Sequence, residues 1–219
     1  MDLNALADLA RDAGPVMLKG AGHTLAFAIA AMLGGLALGI PTAVLRVVPW
    51  TPLRWPAALY VSLFRGTPLL VQLFVIYYGL PSVGIEFTPL AAGILALSLN
   101  AGAYLSESLR GAILGVGEGQ WRAAYSLGLT WSQALAHVVL PQAARLAVPA
   151  MSNTLTSLIK DTALVSVITM TELMLVTKEL ISVTFQPLPL YLAAAGIYWV
   201  LSLGFEALQR KAEQRFRGK

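Results

Sequence analysis

The sequence predicts an all-α integral membrane protein, a helical bundle of five transmembrane helices, and three observations support this fold class. First, 57% of the 219 residues are hydrophobic and only 12% are charged, whereas soluble domains carry about 25% charged residues. Second, the chain contains five long stretches without Asp, Glu, Lys or Arg, and a spanning helix needs about 20 apolar residues. Third, there is no cysteine, which excludes disulfides, a thiolate nucleophile and a cysteine-bound metal centre.

Only the fourth span requires a choice between two segments. The charge-free stretch 123–144 is rich in polar side chains and contains Pro141, a helix breaker. The competing segment 146–171 contains Lys160 and Asp161, which are tolerated where they face the interior of a bundle. We therefore predict spans at residues 20–45, 56–80, 88–109, 146–171 and 187–208.

The basic residues orient these spans. Ten Lys and Arg residues fall on one side and three on the other, while Arg65 and Lys160 lie within spans. Because cytoplasmic loops are enriched in Lys and Arg, the amino terminus is predicted outside and the carboxyl terminus in the cytosol. The basic residues are spread between apolar runs, so the positive net charge indicates membrane orientation and not nucleic-acid binding. The ten on the cytosolic side are Arg46, Arg54, Arg110, Arg122, Arg145, Arg210, Lys211, Arg215, Arg217 and Lys219.

Two segments are predicted to lie outside the spans. Residues 1–19 place apolar side chains at positions 3, 6, 9 and 10 on one helical face, which predicts a short amphipathic helix on the outer surface. The connection at residues 111–145 is long for a compact bundle, and such loops are often functional. In it, Gly128 is expected to end or bend a short helix, and Pro141 to restart the chain toward the bilayer.

The sequence contains none of the common metal-binding, hydrolase or nucleotide-binding motifs. His23 and His137 have no carboxylate or second histidine at ligand spacing, so no metal site is expected. The sequence contains no HExxH, no GxSxG and no GxxxxGK followed by Ser or Thr. The chain is therefore predicted not to be an enzyme and to bind no cofactor or nucleotide itself.

The connection at 111–145 contains a spaced motif. Arg122, Ala123 and Ala124 are followed by three residues and Gly128, then by nine residues and Val138, and after one more residue by Leu140 and Pro141. This pattern resembles the EAA signature of ATP-binding-cassette (ABC) importer permeases, which reads Glu-Ala-Ala, three residues, Gly, nine residues, Ile, one residue, Leu-Pro. The acidic position is occupied here by Arg122, which implies a compensating acidic residue on the partner that the loop contacts.

Other segments resemble the polar amino-acid branch of the same family. They are residues 22–25, 63–81, 102–113 and 152–168. The resemblance implies a permease of the bacterial cytoplasmic (inner) membrane that pairs as a homodimer or heterodimer and receives cargo from an external solute-binding protein. It also implies two cytosolic ATPase subunits, which bind the ATP and contact a coupling helix in the 111–145 loop. The residues assigned to this contact are Gln120, Arg122, Ala123, Ala124, Gly128, Leu140 and Pro141.

Arg65 is the first candidate for cargo binding. An arginine at the centre of a membrane helix costs about 2.5–3.5 kcal/mol on insertion scales, so it needs a compensating interaction. Pro68 and Gly66 flank Thr67 and are expected to loosen the helix, and broken helices bind anionic groups in transporters. We predict that Arg65, Gly66, Thr67 and Gln72 hold or support the carboxylate end of an amino acid. The alternative is that Arg65 pairs with Asp161 or with a carbonyl and is architectural.

Asp161 is the second candidate, because it provides a carboxylate for the ammonium group of the cargo. Its alternative is a structural ion pair with an arginine of the second span. Asn100, Tyr104, Asn153 and Ser157 lie on the same spans and are predicted to add hydrogen bonds to cargo or, alternatively, between helices. Glu107 and Arg110 are three residues apart and are predicted to pair.

The function predicted from these features is the transmembrane pore subunit of an ATP-driven ABC importer for polar amino acids, which moves its substrate by alternating access. An ion-coupled secondary amino-acid transporter is the alternative, since it also buries charged residues in its spans. It has no need of the long loop with the EAA-like motif.

Overall fold

The computed structural model describes the backbone of residues 3–217 and the side chains of residues 7–211, and this part of the chain is helical without any strand. In this part of the chain four helical segments are long and apolar enough to cross a membrane, and a bent pair of helices gives a fifth crossing if its two halves form one span. The four segments are Ala7–Val47, Pro89–Gly115, Trp131–Ile168 and Pro187–Lys211, and the bent pair is Thr51–Gly66 with Leu69–Val83.

The first helix, α1, runs without a break from Leu3 to Val47 and is 45 residues long. At 1.5 Å per residue it measures about 67 Å, against a hydrocarbon core of about 30 Å. A separate amphipathic helix over residues 1–19 is therefore a wrong prediction for the residues that are described; residues 1–2 lie outside them. In the amino-terminal part of α1, Ala13 and Met17 are buried and pack in one cluster with Leu173 and Leu190.

The centre of the bundle is the contact between α1 and α4 (Pro89–Gly115). Small residues bring the two helices close together. A Cβ at Gly34 would lie 2.3 Å from Ser98 Oγ, and one at Gly39 would lie 3.0 Å from the carbonyl oxygen of Gly102. Such close approach of small residues is typical of helix packing in membranes, where lipid provides no hydrophobic driving force. Helix α4 extends six residues beyond the predicted end at residue 109.

The second predicted span, 56–80, is two helices. Helix α2 (Thr51–Gly66) ends at the Gly66-Thr67-Pro68 sequence, and α3 (Leu69–Phe74) continues through a π-helical turn, Val75–Gly79, and a 3₁₀ turn, Leu80–Val83. The two halves are bent by 107°. The helix is thus interrupted where the glycine and the proline predicted loosening.

The fourth span begins earlier than residue 146. After α5 (Glu118–Ser126), helix α6 (Trp131–Ala134) continues through a π-helical turn, Leu135–Val139, into α7 (Leu140–Asp161) and a 3₁₀ segment, Thr162–Ile168. Pro141 does not restart the chain but sits in the first turn of α7, where its missing N–H is tolerated after the wide π turn. The second half of the predicted connection at 111–145 therefore belongs to this long helix.

Two helices complete the chain. Helix α8 (Leu173–Thr184) is capped by the side chain of Glu172, and α9 (Pro187–Arg217) contains the predicted span at 187–208. Helix α8 has no counterpart among the predicted elements. It packs on α1 and α9 through Leu173 and Val176, which are buried.

Candidate functional site

At the break in the second span, side-chain amides donate hydrogen bonds to backbone carbonyls. Proline at position 68 has no backbone N–H to donate, so the carbonyl of Phe64, four residues earlier, loses its helical partner. Gln72, which is 7% exposed, donates from Nε2 to the carbonyl oxygens of Phe64 at 2.9 Å and Thr67 at 3.0 Å. Asn100 of α4 donates to Phe64 at 3.2 Å and to Gln72 Oε1 at 3.1 Å. The break is therefore a defined structure anchored to α4.

A pocket opens beside this break, between α4 and α7. Its volume is about 480 Å³, within the range of about 300–1,000 Å³ that is usual for small-molecule sites. Polar side chains line it together with Leu69 and Leu158. Among the lining residues are six of the nine that the sequence assigned to cargo: Thr67, Asn100, Tyr104, Asn153, Ser157 and Asp161.

Asp161 stands at the end of α7 and is partly buried in this pocket. Among the described side chains, no cation lies within ion-pair distance of its carboxylate. The alternative, an ion pair with an arginine of the second span, is therefore absent from this structure. Lys160 is exposed on the neighbouring face. The pocket thus presents a carboxyl group without an ion-pair partner among the described side chains.

Arg65, Gly66 and Gln72 do not line the pocket. Arg65 lies behind it, with its guanidinium carbon 5.3 Å from the centre of the Tyr104 ring and Nη1 3.8 Å from Glu107 Oε2. This geometry is a cation–π contact combined with a loose ion pair. The alternative pairing of Arg65 with Asp161 is not formed.

Glu107 is the centre of a charge cluster. It forms ion pairs with Arg46 of α1 and with Arg110, in addition to Arg65. The predicted pair between Glu107 and Arg110 is confirmed. One carboxylate thus joins α1, α2 and α4.

The EAA-like segment folds into α5 and a sharp turn. Gly128 has φ +79°, a left-handed conformation that glycine adopts without strain. Its N–H donates to the carbonyl of Tyr125 at 2.9 Å, and that of Leu129 to Ala124 at 3.2 Å. These two bonds are the Schellman motif that ends helices. Thr130 then starts the next helix by a capping box with Gln133.

The seven residues assigned to ATPase contact divide between surface and interior. Gln120, Arg122, Ala123 and Gly128 are exposed, and so is Pro141 at the start of α7. Ala124 is 2% exposed and Leu140 is partly buried. Gln142 donates to Gln120 Oε1 at 3.1 Å and so links α7 to α5.

One buried polar cluster escaped the sequence reasoning. Glu172 is fully buried and accepts hydrogen bonds from Tyr198 Oη at 2.6 Å and from the N–H of Leu175 at 2.8 Å. Thr24 Oγ1 lies 3.4 Å from the same carboxylate and accepts from the N–H of Leu173 at 3.2 Å. The cluster joins α1, α8 and α9. No local sequence signal identifies the cluster, because the side chains of Tyr198 and Thr24 are 26 and 148 residues from Glu172 along the chain.

These features define a helical membrane protein with a polar pocket at a broken span and a separate short helix, α5, in the connection between two spans. The chain belongs to the family described as binding-protein-dependent transport system inner membrane component, which matches residues 35–218. It is 42% identical to the L-cystine transport system permease protein TcyB of Bacillus subtilis, over 92% of this chain and 86% of that protein. It is 33% identical to the arginine ABC transporter permease protein ArtQ of Escherichia coli, over 91% of this chain and 94% of that protein.

Solved structures agree with this assignment. The chain superimposes on an amino acid ABC transporter crystallised with histidines, with a TM-score of 0.89 and 34% identity over 98% of this chain and 99% of that chain. The inward-facing MetNI methionine ABC transporter has the same fold, with a TM-score of 0.79 at 20% identity over 92% of this chain and 96% of that chain.

The predicted family and the all-α membrane fold are therefore confirmed. The chain is an inner-membrane permease subunit of an ABC importer, and ATP hydrolysis lies on separate subunits, so the chain is not itself an enzyme. The ion-coupled secondary transporter is not supported.

Proposed function

We propose that this subunit moves polar amino acids across the inner membrane and that the pocket beside the broken second span is where the cargo is held. The observation that carries this proposal is a partly buried carboxylate, Asp161, without a cation partner among the described side chains, in a pocket lined by amides and hydroxyls. A lone carboxylate inside a membrane protein is costly unless a cationic group meets it. The α-ammonium group of an amino acid supplies that cation.

The other polar groups orient the cargo. Asn153 and Ser157 lie on the same helix as Asp161, and Thr67 and Asn100 lie at the break. Hydroxyl and amide donors there bind the cargo carboxylate. Arg65 and Gln72 act indirectly: Arg65 positions Tyr104 and adds positive potential, and Gln72 holds the break in shape. The relatives include permeases named for cystine and arginine transport, which favours amino acids as the class of cargo.

The assembly we propose contains two permease subunits, two cytosolic ATPase subunits that bind ATP, and an external solute-binding protein. The α5 segment with Gly128 contacts the ATPase, and closure of the ATPases moves it mechanically. The two permeases then expose the pocket alternately to each side. The amino terminus lies outside and the carboxyl terminus in the cytosol, as the excess of basic residues on one side favours.

The test is uptake and ATP hydrolysis by the complete importer, purified with its native partners and reconstituted in liposomes. We expect the Asp161→Asn variant to raise the cargo concentration needed for half-maximal ATP hydrolysis about tenfold or more, as one charge-assisted hydrogen bond is lost. The matched control is Glu179→Gln, an exposed carboxylate on α8. An unchanged cargo response in Asp161→Asn, or uptake driven by an ion gradient without ATP, would contradict the proposal.

A further inference from the structure

Position 122 is basic where the EAA pattern has an acidic residue, and in the structure this basic side chain forms an ion pair. Arg122 Nη2 lies 2.7 Å from Glu118 Oε2, one helical turn earlier on α5. Both side chains are highly exposed, at 78% for Arg122 and 82% for Glu118. Among the described side chains, each has the other as its sole ion-pair partner.

The geometry of a helix explains this pairing. Side chains on a helix point toward its amino terminus, so the guanidinium of Arg122 lies over the turn that carries Glu118. A Glu placed four residues before a basic residue is the favourable order, and Glu118 occupies the first turn of α5, where a negative charge also meets the helix dipole. The pair is electrically neutral, yet its carboxylate remains exposed.

The surroundings of the pair resemble an interface more than a solvated surface. Glu118 and Arg122 lie on the rim of an open groove of about 420 Å³ whose walls include Trp121, Tyr125 and Leu114. Tyr125 is 46% exposed and Leu114 is 63% exposed. Exposed aromatic and aliphatic side chains with a charged rim are typical of protein–protein contacts.

We propose that Glu118 provides the carboxylate that the EAA pattern lacks at position 122, and that Arg122 is a positioning residue that holds it. This inference rests on the proposed contact between α5 and the ATPase. A shift of four residues on a helix turns a side chain through about 400°, which leaves it on nearly the same face. The ATPase would therefore present a cationic side chain to Glu118, and no compensating acidic residue opposite Arg122 is required.

The experiment compares charge variants of the pair in the purified permease. The ATPase that copurifies with the tagged wild-type subunit is isolated, and its affinity for each variant is measured together with cargo-stimulated ATP hydrolysis. Glu118→Gln is expected to weaken ATPase binding about tenfold or more, because a charge-assisted contact is lost. Arg122→Gln is expected to weaken it by only about threefold, because an exposed ion pair contributes little by itself.

The decisive variant combines Glu118→Gln with Arg122→Glu, which returns the carboxylate to position 122. We expect it to bind the ATPase within about threefold of wild type. The control, Glu86→Gln, removes an exposed carboxylate from the loop before α4 and is expected to change nothing. Wild-type binding by Glu118→Gln would overturn the proposal, and so would a larger loss in Arg122→Gln than in Glu118→Gln or failure of the double variant to restore binding.

A change at Gly128 separates this inference from the proposed function. If Gly128→Val retains full ATP-driven uptake, α5 is not the contact with the ATPase, and both proposals fail. If Gly128→Val loses ATPase binding while Glu118→Gln keeps it, the contact by α5 stands and the inference about Glu118 is overturned.

Discussion

Gln72 shows how one side chain maintains a break in a membrane helix. In lipid every backbone polar group needs a partner inside the protein. The proline at position 68 leaves the Phe64 carbonyl without its helical donor. The Gln72 amide donates to the carbonyls of Phe64 and Thr67, and its own oxygen accepts from Asn100. The amide is therefore required for the shape of the pocket, although it does not line it.

We expect Gln72→Leu to destabilise the permease by about 1–3 kcal/mol, since the Thr67 carbonyl loses its donor and the Phe64 carbonyl keeps only the bond from Asn100. For a chain of this size the loss corresponds to a midpoint lower by about 2–12 °C, measured as thermal unfolding of the purified protein in detergent. Gln72→Glu keeps the size and the acceptor but lacks the N–H donor, so it is expected to lose at least as much. A wild-type midpoint in both variants would show that the carbonyls find other partners.

Glu107 and Glu172 illustrate two ways to place a carboxylate in the bundle. Glu107 is surrounded by three arginines from three helices, whereas Glu172 is buried among hydrogen-bond donors only. Both join helices that are remote in sequence. Asp161 differs from both, because none of the described side chains forms an ion pair or a hydrogen bond with its carboxylate, and this difference is the basis for proposing it as a cargo-binding group.

At the level of elements, the turn after α5 is the part most strictly specified by its sequence. Gly128 adopts φ +79° with open space around it. A left-handed conformation costs a residue with a Cβ about 1–2 kcal/mol, and a β-branched side chain is disfavoured further. The Schellman motif and the capping box at Thr130 together set the angle between α5 and the following helix.

We expect Gly128→Val to weaken ATPase binding and to reduce ATP-driven uptake at least about tenfold, because the turn loses its conformation. Gly128→Asn is the matched control, since Asn tolerates the left-handed region, and it is expected to retain most activity. Both variants are assayed for binding to the copurified ATPase and for uptake in liposomes. An equal loss of activity in the Val and Asn variants would mean that the presence of any side chain at this position, and not backbone conformation, decides the contact, whereas full activity of both would contradict the contact itself.

The elements also show where the sequence was informative. The break at Gly66-Thr67-Pro68 and the turn at Gly128 were predicted because glycine and proline act locally. The continuous α1 was not, since the join near residue 20 is stabilised by packing on Leu173 and Val176, which are distant along the chain. The prediction that Pro141 restarts the chain was wrong for a similar reason. The π-helical turn Leu135–Val139, which precedes and accommodates this proline, has no sequence signal.

At the scale of the whole molecule, the sequence identified residues that line the pocket better than it identified the contacts between helices that hold those residues in place. Six candidate residues line it because α4, α7 and the break converge there, and their polar character in apolar helices made them visible. The position of Arg65 behind Tyr104 was not predictable, since it depends on Glu107 and on how α2 packs against α4. Side-chain partners between distant helices require the tertiary structure.

The orientation of the whole bundle can be tested directly, because the chain contains no cysteine. Ser82 is exposed in the 3₁₀ turn after α3, and Ser126 is exposed at the end of α5. With the excess of basic residues in the cytosol, these two positions lie on opposite sides of the membrane. Each serine is replaced by cysteine in turn, and the unsubstituted protein is the control for background labelling.

We expect Ser82→Cys to react with a membrane-impermeant maleimide in intact cells from which any outer membrane has been removed, because the proposed orientation places its side chain on the outer side. Ser126→Cys should react only after the membrane is permeabilised, because α5 must face the cytosol to reach an ATPase. The reverse pattern would invert the bundle and remove the proposed coupling. Labelling of both positions in intact cells would mean that the two turns share one side, which is incompatible with α4, the helix between them, crossing the membrane.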